Sequence, residues 1–147
     1  MAGYSGTPLA KKLGIKEGHV VALVAAPSGF ERMLAGLPAG VRVVREIRRK
    51  GDFDVIVLFA TSRSDLESRF RGAAERLTAA GGLWVAWPKK ASGVATDMTE
   101  HVVRDVALPR GLVDNKVCAI DDVWSGLRLV YRLENRPPRA GTTRRSR

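Results

Sequence analysis

Two continuous apolar runs with a helical segment between them most limit the possible fold. Apart from Asp54, residues 54–60 (DVIVLFA) and 83–87 (LWVAW) are apolar on both sides of the backbone, which is typical of strands buried on both faces in a parallel sheet. Between them, Ser64 and Glu67 form a capping box. The residues that then share one helical face are Leu66, Phe70, Ala73, Ala74 and Leu77. Gly81 and Gly82 are predicted to stop the helix, so this region is interpreted as a strand–helix–strand unit.

The other predicted elements continue the same alternation. Thr7 as cap and Pro8 at the first helical position predict a short helix that ends near Leu13-Gly14. A further helix is expected from Asp97, with Met98, Val102 and Val106 along one side. The remaining predictions are strands at 19–25, 41–47 (nearer an edge), 116–120 and 127–133, and a short helix at 30–37. We therefore expect one α/β domain over residues 1–135, built on a single Rossmann-like, open, mostly parallel sheet of about six strands with a C-terminal antiparallel β-hairpin.

Composition excludes several classes of protein. The chain has 147 residues, 45% of them hydrophobic and 27% charged, which is typical of one soluble domain. It contains no apolar run of the ~20 residues that span a bilayer, and its amino terminus does not resemble a signal peptide. Cys118 is the single cysteine and His19 and His101 are the two histidines. A disulfide framework and a structural zinc site are thus excluded within one chain; we predict no metal, no cofactor and a cytoplasmic location.

The net charge of +10 is unevenly distributed. The last twelve residues carry five arginines and no acid; without them 20 basic residues face 15 acidic ones and the charge falls to +5. Residues 136–147 are predicted to form a basic disordered tail. Any nucleic-acid binding by this tail would be unspecific and salt-dependent, because no aromatic residues interleave with its arginines. The tail arginines are Arg136, Arg139, Arg144, Arg145 and Arg147.

The order of elements from 54 to 133 resembles the second half of the class I methyltransferase fold, whose last strand runs antiparallel. That resemblance implies a glycine-rich cofactor loop, Glu/Asp-x-Gly-x-Gly, after the first strand, and an acidic ribose partner after the second. The chain instead has residues 23–29 as LVAAPSG, in which Pro27 lacks an amide donor, and offers only Glu46 as an acidic partner. We therefore expect S-adenosylmethionine to bind weakly or not at all.

A second resemblance covers nearly the whole chain, from Tyr4 to Arg136. The segments 5–15 (SGTPLAKKLGI), 82–93 (GLWVAWPKKASG) and 111–127 resemble a bacterial family of unknown function. This resemblance implies a cytoplasmic bacterial protein and no particular activity.

The predicted binding site lies where parallel strands end. Open α/β sheets bind ligands outside the carboxyl ends of their strands, and helix amino termini near Ser64 and Asp97 would favour anions there. We expect a small anionic ligand with an aromatic part to bind the residues of these loops, which are Ser28, Gly29, Thr61, Ser62, Trp87, Lys89, Lys90, Ser92, Gly93 and Trp124. The alternative is that the lysines are solvated and the tryptophans belong to the core.

No catalytic group is predicted. A nucleophilic Ser92 would need a desolvated Lys90 as its base. His101 is expected to be exposed, Cys118 to be an inert small hydrophobe, and Asp121-Asp122 to serve a turn. The leading prediction is accordingly a non-catalytic Rossmann-like domain that binds a small anionic ligand or a protein partner. The alternatives are a degenerate S-adenosylmethionine-dependent methyltransferase-like protein and nucleic-acid association through the tail.

Overall fold

The computed structural model describes residues 7–45 and 52–133 and contains one six-stranded sheet of order β2-β1-β3-β4-β6-β5. Strands β2, β1, β3 and β4 pair in parallel, whereas β6 is antiparallel to both β4 and β5. The bounds are α1 Leu9–Lys12, β1 Val20–Val24, β2 Arg42–Val44, β3 Phe53–Phe59, α2 Arg63–Glu75, β4 Leu77–Pro88, α3 Glu100–Ala107, β5 Leu112–Ala119 and β6 Trp124–Tyr131, with 3₁₀ turns at Phe30–Leu34, Lys90–Ser92 and Leu108–Arg110. The predicted Rossmann-like α/β sheet with a C-terminal antiparallel hairpin is confirmed.

The two faces of the sheet carry separate apolar clusters. Helices α2 and α3 cover one face, where Phe70 and Val103 pack on strand residues such as Ile56. The other face is covered by α1 and the turn at Phe30–Leu34, and Trp84 is buried there. The predicted central strands β1, β3 and β4 are buried as expected, because side chains of both faces are covered.

The boundary between α2 and β4 differs from the prediction. The helix ends at Glu75, Leu77 already pairs with Phe53 of β3, and Gly81 and Gly82 lie inside β4. A Cβ on Gly81 would lie 2.8 Å from the Asp54 carbonyl oxygen. These glycines therefore permit close strand packing and do not stop a helix.

The helix caps also differ from the prediction. Ser62, and not Ser64, caps α2, because its Oγ accepts from the Asp65 amide at 3.0 Å. Thr99 caps α3, which begins at Glu100. Asp97 instead accepts a hydrogen bond from the Arg63 amide in the first turn of α2. Asp97, which was predicted to begin α3, therefore makes a tertiary contact with the first turn of α2.

The shorter elements are trimmed relative to the prediction. The first helix begins at Leu9 with Pro8 in the N-cap position, and the helix expected at 30–37 is a 3₁₀ turn ending at Leu34. Strand β2 stops at Val44 and is an edge strand as expected. The predicted strand residues Glu46 and Ile47, like the tail at 136–147, lie outside the described residues. Strand β5 begins at Leu112, earlier than expected, because Leu112 pairs with Tyr131 of β6.

Candidate functional site

The topology places one crevice at the carboxyl ends of the parallel strands. The chain passes from β1 to β2 on one side and then to β3 on the other side of β1, and ligands bind open α/β sheets at such a reversal. The loop after β1 (residues 25–29) and the loop after β3 (residues 60–62) flank this point. Strand β5 runs parallel to β4, since both are antiparallel to β6. The carboxyl edge therefore also includes residues 89–93 and 120–123, as expected.

The loop after β1 makes a tight turn with left-handed backbone at both ends. Ala25 has φ 59° and Gly29 has φ 79°; such a conformation is rare for alanine and costs it about 1–2 kcal/mol. The side chain of Ser28 is exposed. In the described part of the chain, the backbone amides of Ser28 and Gly29 donate to no protein acceptor. Adjacent free amides in a tight turn can donate to an oxygen of a ligand.

Arg45, the residue after β2, clamps this loop. Its guanidinium donates to the Ala26 carbonyl at 3.0 Å and to the Pro27 carbonyl at 2.8 Å. The same group makes a bidentate ion pair with Glu31, at 2.6 and 2.9 Å. The pKa of Glu31 falls from 4.5 to about 2, first because of its hydrogen bonds to Arg45 and then because of a backbone hydrogen bond. Charge-assisted bidentate pairs of this kind are geometrically specific, so the end of β2, the loop and the following turn are tied together.

Arg45 and Glu31 were missed by the sequence analysis. An arginine occupies the place where an acidic ribose partner was sought, and the loop before Glu31 had already been recognised as unusual. The signal that could have identified the pair is a basic residue directly after β2 together with an acidic residue in the turn at Phe30–Leu34, which precedes β2. The pairing itself depends on β1 and β2 lying side by side.

Aromatic rings pack together on the α1 side of the sheet, at the carboxyl end of β3. Phe59 at the end of β3 contacts Phe30 and Trp124 edge-to-face, each with ring centroids 5.0 Å apart. Trp87, by contrast, is buried in the cluster on the opposite face. Its register partner Ser125 is the residue next to Trp124, and neighbouring strand residues point to opposite faces. The two tryptophans predicted for one site therefore lie on opposite faces of the sheet.

Several predicted site hydroxyls already have structural partners. Ser62 caps α2, and Ser92 Oγ donates to the Lys89 carbonyl at 2.7 Å while accepting from the Val94 amide. Thr61 donates to Asp65 at 3.2 Å. Such bonds organise turns and helix ends, so these oxygens are engaged before any ligand arrives.

The two lysines of the site lie in the loop after β4. The Lys89 amide donates to the Val123 carbonyl at 2.7 Å, which joins this loop to the β5–β6 turn. Lys90 is exposed, and Gly93 ends the turn with φ 82°. The structure thus brings Lys89, Lys90 and Gly93 to the same sheet edge as Ser28, and anion binding by the group stays a prediction.

The other candidate residues have local roles. Asp121 Oδ1 accepts from the amides of Val123 and Trp124, both at 2.8 Å, so it organises the turn. His101 is 82% exposed beside Asp105, and His19 Nδ1 accepts from the Lys16 amide. Burial raises the pKa of Cys118, an effect that Lys12 and Lys116 partly offset. Within residues 7–45 and 52–133, no three His, Cys, Asp or Glu side chains are grouped to hold a metal ion, and no helix is long and apolar enough to cross a membrane.

Comparison with known proteins finds likeness in structure alone. No protein-family model and no curated protein matches the chain. A putative type 11 methyltransferase from Sulfolobus solfataricus superposes with a TM-score of 0.63 at 13% identity, covering 86% of this chain and 91% of that one. DhpI in complex with SAH gives 0.60 at 10% identity, covering 86% and 83%. Aeropyrum pernix fibrillarin with natively bound S-adenosyl-L-methionine gives 0.58 at 14% identity, covering 83% and 73%.

These neighbours correct the leading functional prediction. Methyltransferase structures match over most of the chain, which favours the methyltransferase-like alternative over a non-catalytic ligand-binding domain. The non-catalytic prediction, which rested on the lack of a positioned acid/base pair or nucleophile, was wrong in the light of this structural likeness. Membership of a bacterial family of unknown function has no support from the family models. The chain therefore has the Rossmann-like α/β fold that these solved structures share.

Proposed function

We propose that this chain is a methyltransferase-like protein that binds S-adenosylmethionine in the crevice between the carboxyl ends of β1 and β3. The observation that carries the proposal is the sheet order, in which the reversal between β1 and β3 and the antiparallel β6 occur together. Solved methyltransferases share this overall fold over 78–86% of the chain. A reversal in strand order is where such sheets take a nucleoside ligand.

The backbone of the loop after β1 fits this group. Left-handed backbone at Ala25 and Gly29 produces the tight turn that lets a ligand approach the main chain. The free amides of Ser28 and Gly29 would donate to its polar oxygens. When bound, S-adenosylmethionine supplies an electrophilic methyl group; the part assigned to this chain is to hold and orient the molecule.

The charge around the loop departs from the usual pattern. A carboxylate on the second strand holds the ribose hydroxyls in many nucleoside-binding sheets, but Arg45 follows β2 here and is paired with Glu31. The ribose would therefore depend on main-chain groups. We expect binding that is weaker than in a site with such a carboxylate, because a hydrogen bond to a charged group is worth roughly 1.5–3 kcal/mol.

Isothermal titration of the full chain with S-adenosylmethionine and with its demethylated product tests the proposal. Gly29→Ala should weaken binding, because alanine disfavours the left-handed backbone (φ 79°) of this turn inside the crevice; the guanidinium end of Arg32, which the new Cβ would meet, can move aside. Gly18→Ala is the matched control. It creates the same kind of backbone strain, at φ 73° and in open space, before the amino end of β1.

Binding by the wild type and by Gly18→Ala, with weaker binding by Gly29→Ala, would support the proposal. Absence of heat and of thermal stabilisation for the wild type at millimolar ligand would refute it. Equal binding by both variants would show that the ligand lies away from the loop after β1 and would equally refute the proposed site.

A further inference from the structure

A cationic cluster lies on the face of the sheet opposite to α2 and α3, away from the crevice. Arg128 of β6 and Lys116 of β5 are register partners, so their side chains point to the same face. Trp84 of β4 is the other register partner of Arg128, and it belongs to the cluster covered by α1. Lys12, the last residue of α1, acts electrostatically on Cys118 together with Lys116. We call Lys12, Lys116 and Arg128 the sheet-face patch.

Arg128 is a half-buried cation that pairs with no carboxylate of residues 7–45 and 52–133. In the described part of the chain its one hydrogen-bond partner is Asn115 Oδ1, at the long distance of 3.4 Å. Burial lowers the pKa of Arg128, and no described carboxylate acts against that effect. Desolvated charges are normally compensated by an opposite charge. The residues that the structure describes therefore leave the guanidinium of Arg128 without such an anion.

Gly82 provides the space in which the Arg128 side chain lies. A Cβ at this position of β4 would be 2.4 Å from Nε and 2.8 Å from Cζ of Arg128. The guanidinium thus crosses the backbone of the neighbouring strand, where a side chain would exclude it.

Lys116 makes the charge imbalance larger. Like charges directly opposite each other in an antiparallel pair are destabilising, and Lys116 faces Arg128 across β5 and β6. No described residue makes a hydrogen bond or ion pair to the ammonium groups of Lys116 or Lys12. A bound anion would relieve this repulsion and compensate the half-buried guanidinium.

We propose that the sheet-face patch binds the phosphate backbone of a nucleic acid. Three cations on an extended sheet surface suit a chain of phosphates better than a single small anion, and the whole chain carries a net charge of +10. Trp84, the register partner of Arg128, is fully buried. Among the described residues it therefore offers no ring for base stacking beside Arg128, and binding should be indifferent to sequence. The proposal does not depend on S-adenosylmethionine binding.

Fluorescence anisotropy of the full chain with a short labelled DNA duplex, and with an RNA of the same sequence, provides the test. The triple variant Lys12→Gln, Lys116→Gln, Arg128→Gln removes the patch. The matched control, Lys16→Gln, Arg71→Gln, Arg110→Gln, removes the same charge from exposed positions elsewhere. We expect the patch variant to lose affinity on the order of 10-fold or more, and its slope of log affinity against log salt to fall by about 2–3, whereas the control loses much less.

A charge-preserving double variant, Lys116→Arg with Arg128→Lys, separates charge from folding and should keep most of the affinity. Equal losses in the patch and control variants would overturn the proposal, because net charge alone would then explain binding. Unchanged affinity in the patch variant would also overturn it and assign binding to another segment, including the arginine tail. The proposal would also be overturned if phosphatidylserine vesicles or inorganic phosphate bound to the sheet-face patch and neither nucleic acid did.

Discussion

Replacing Gly81 by alanine tests the close strand packing at the start of β4. The added Cβ would lie 2.7 Å from Thr78 Oγ1, 2.8 Å from the Asp54 carbonyl oxygen and 2.9 Å from Leu77 Cδ1. A side chain can rotate away, but the Asp54 carbonyl belongs to the neighbouring strand and cannot. Overpacking of this kind typically lowers the free energy of unfolding by about 1–3 kcal/mol. Because the contact is with backbone, we expect a loss in the upper half of this range, about 2–3 kcal/mol.

Gly72→Ala is the matched control for this substitution. Gly72 lies inside α2, and the nearest atom to its new Cβ is an Arg76 nitrogen at 3.9 Å. Alanine in a helix interior is favoured over glycine by roughly 0.5–1 kcal/mol. The same chemical change should therefore destabilise the protein at position 81 and stabilise it at position 72.

Urea unfolding followed by circular dichroism measures the change in the free energy of unfolding for Gly81→Ala and for Gly72→Ala. A loss of about 2 kcal/mol should lower the melting temperature of a chain of this size by several degrees, since 1 kcal/mol corresponds to roughly 2–8 °C. A neutral or stabilising Gly81→Ala would refute the packing argument. It would show that residues 77–81 are not held against β3 as described.

Two further predictions concern single hydrogen-bonded contacts. Trp84→Phe should lower the free energy of unfolding by about 1–3 kcal/mol, because the buried indole donates to the Leu13 carbonyl at 3.0 Å and phenylalanine leaves that oxygen without its partner; a change below about 0.5 kcal/mol in urea titrations would contradict this. Arg45→Ala should return the pKa of Glu31 from about 2 towards 4.5, as followed by NMR titration of its carboxyl carbon. Because the folded-state pKa is depressed, the stabilisation by this pair is complete above about pH 4.5 and is lost as the pH falls towards 2, so an acid titration that is identical in both proteins would disprove the clamp.

The sequence was a good guide to the sheet and a poor guide to the boundaries. The apolar runs around Ile56 and Trp84 predicted central strands because burial on both faces demands uninterrupted apolar residues. Gly81 and Gly82 were predicted to stop a helix because glycine is common both at helix ends and where strands pack closely. Only the tertiary structure distinguishes these two roles, since it places the Asp54 carbonyl and the Arg128 side chain against the two glycines.

The candidate site shows the same division. The loop at 25–29 could be located from the sequence because it follows a buried strand. The sequence also shows that this loop lacks the glycines of the Glu/Asp-x-Gly-x-Gly cofactor loop. The Arg45–Glu31 clamp on that loop joins residues 14 positions apart through the pairing of β1 with β2, and no local pattern encodes that distance.

The sequence by itself determined which segments are buried, their alternation and their approximate number, because hydrophobic periodicity is a local property of the chain. Only the tertiary structure decided which side chains meet. Trp87 and Trp124 were assigned to one site but lie on opposite faces, since the side-chain direction alternates along paired strands. Lys116 and Arg128, unremarkable in the sequence, face each other because the register of β5 on β6 is set by the hairpin and by the irregularity between Asp114 and Lys116.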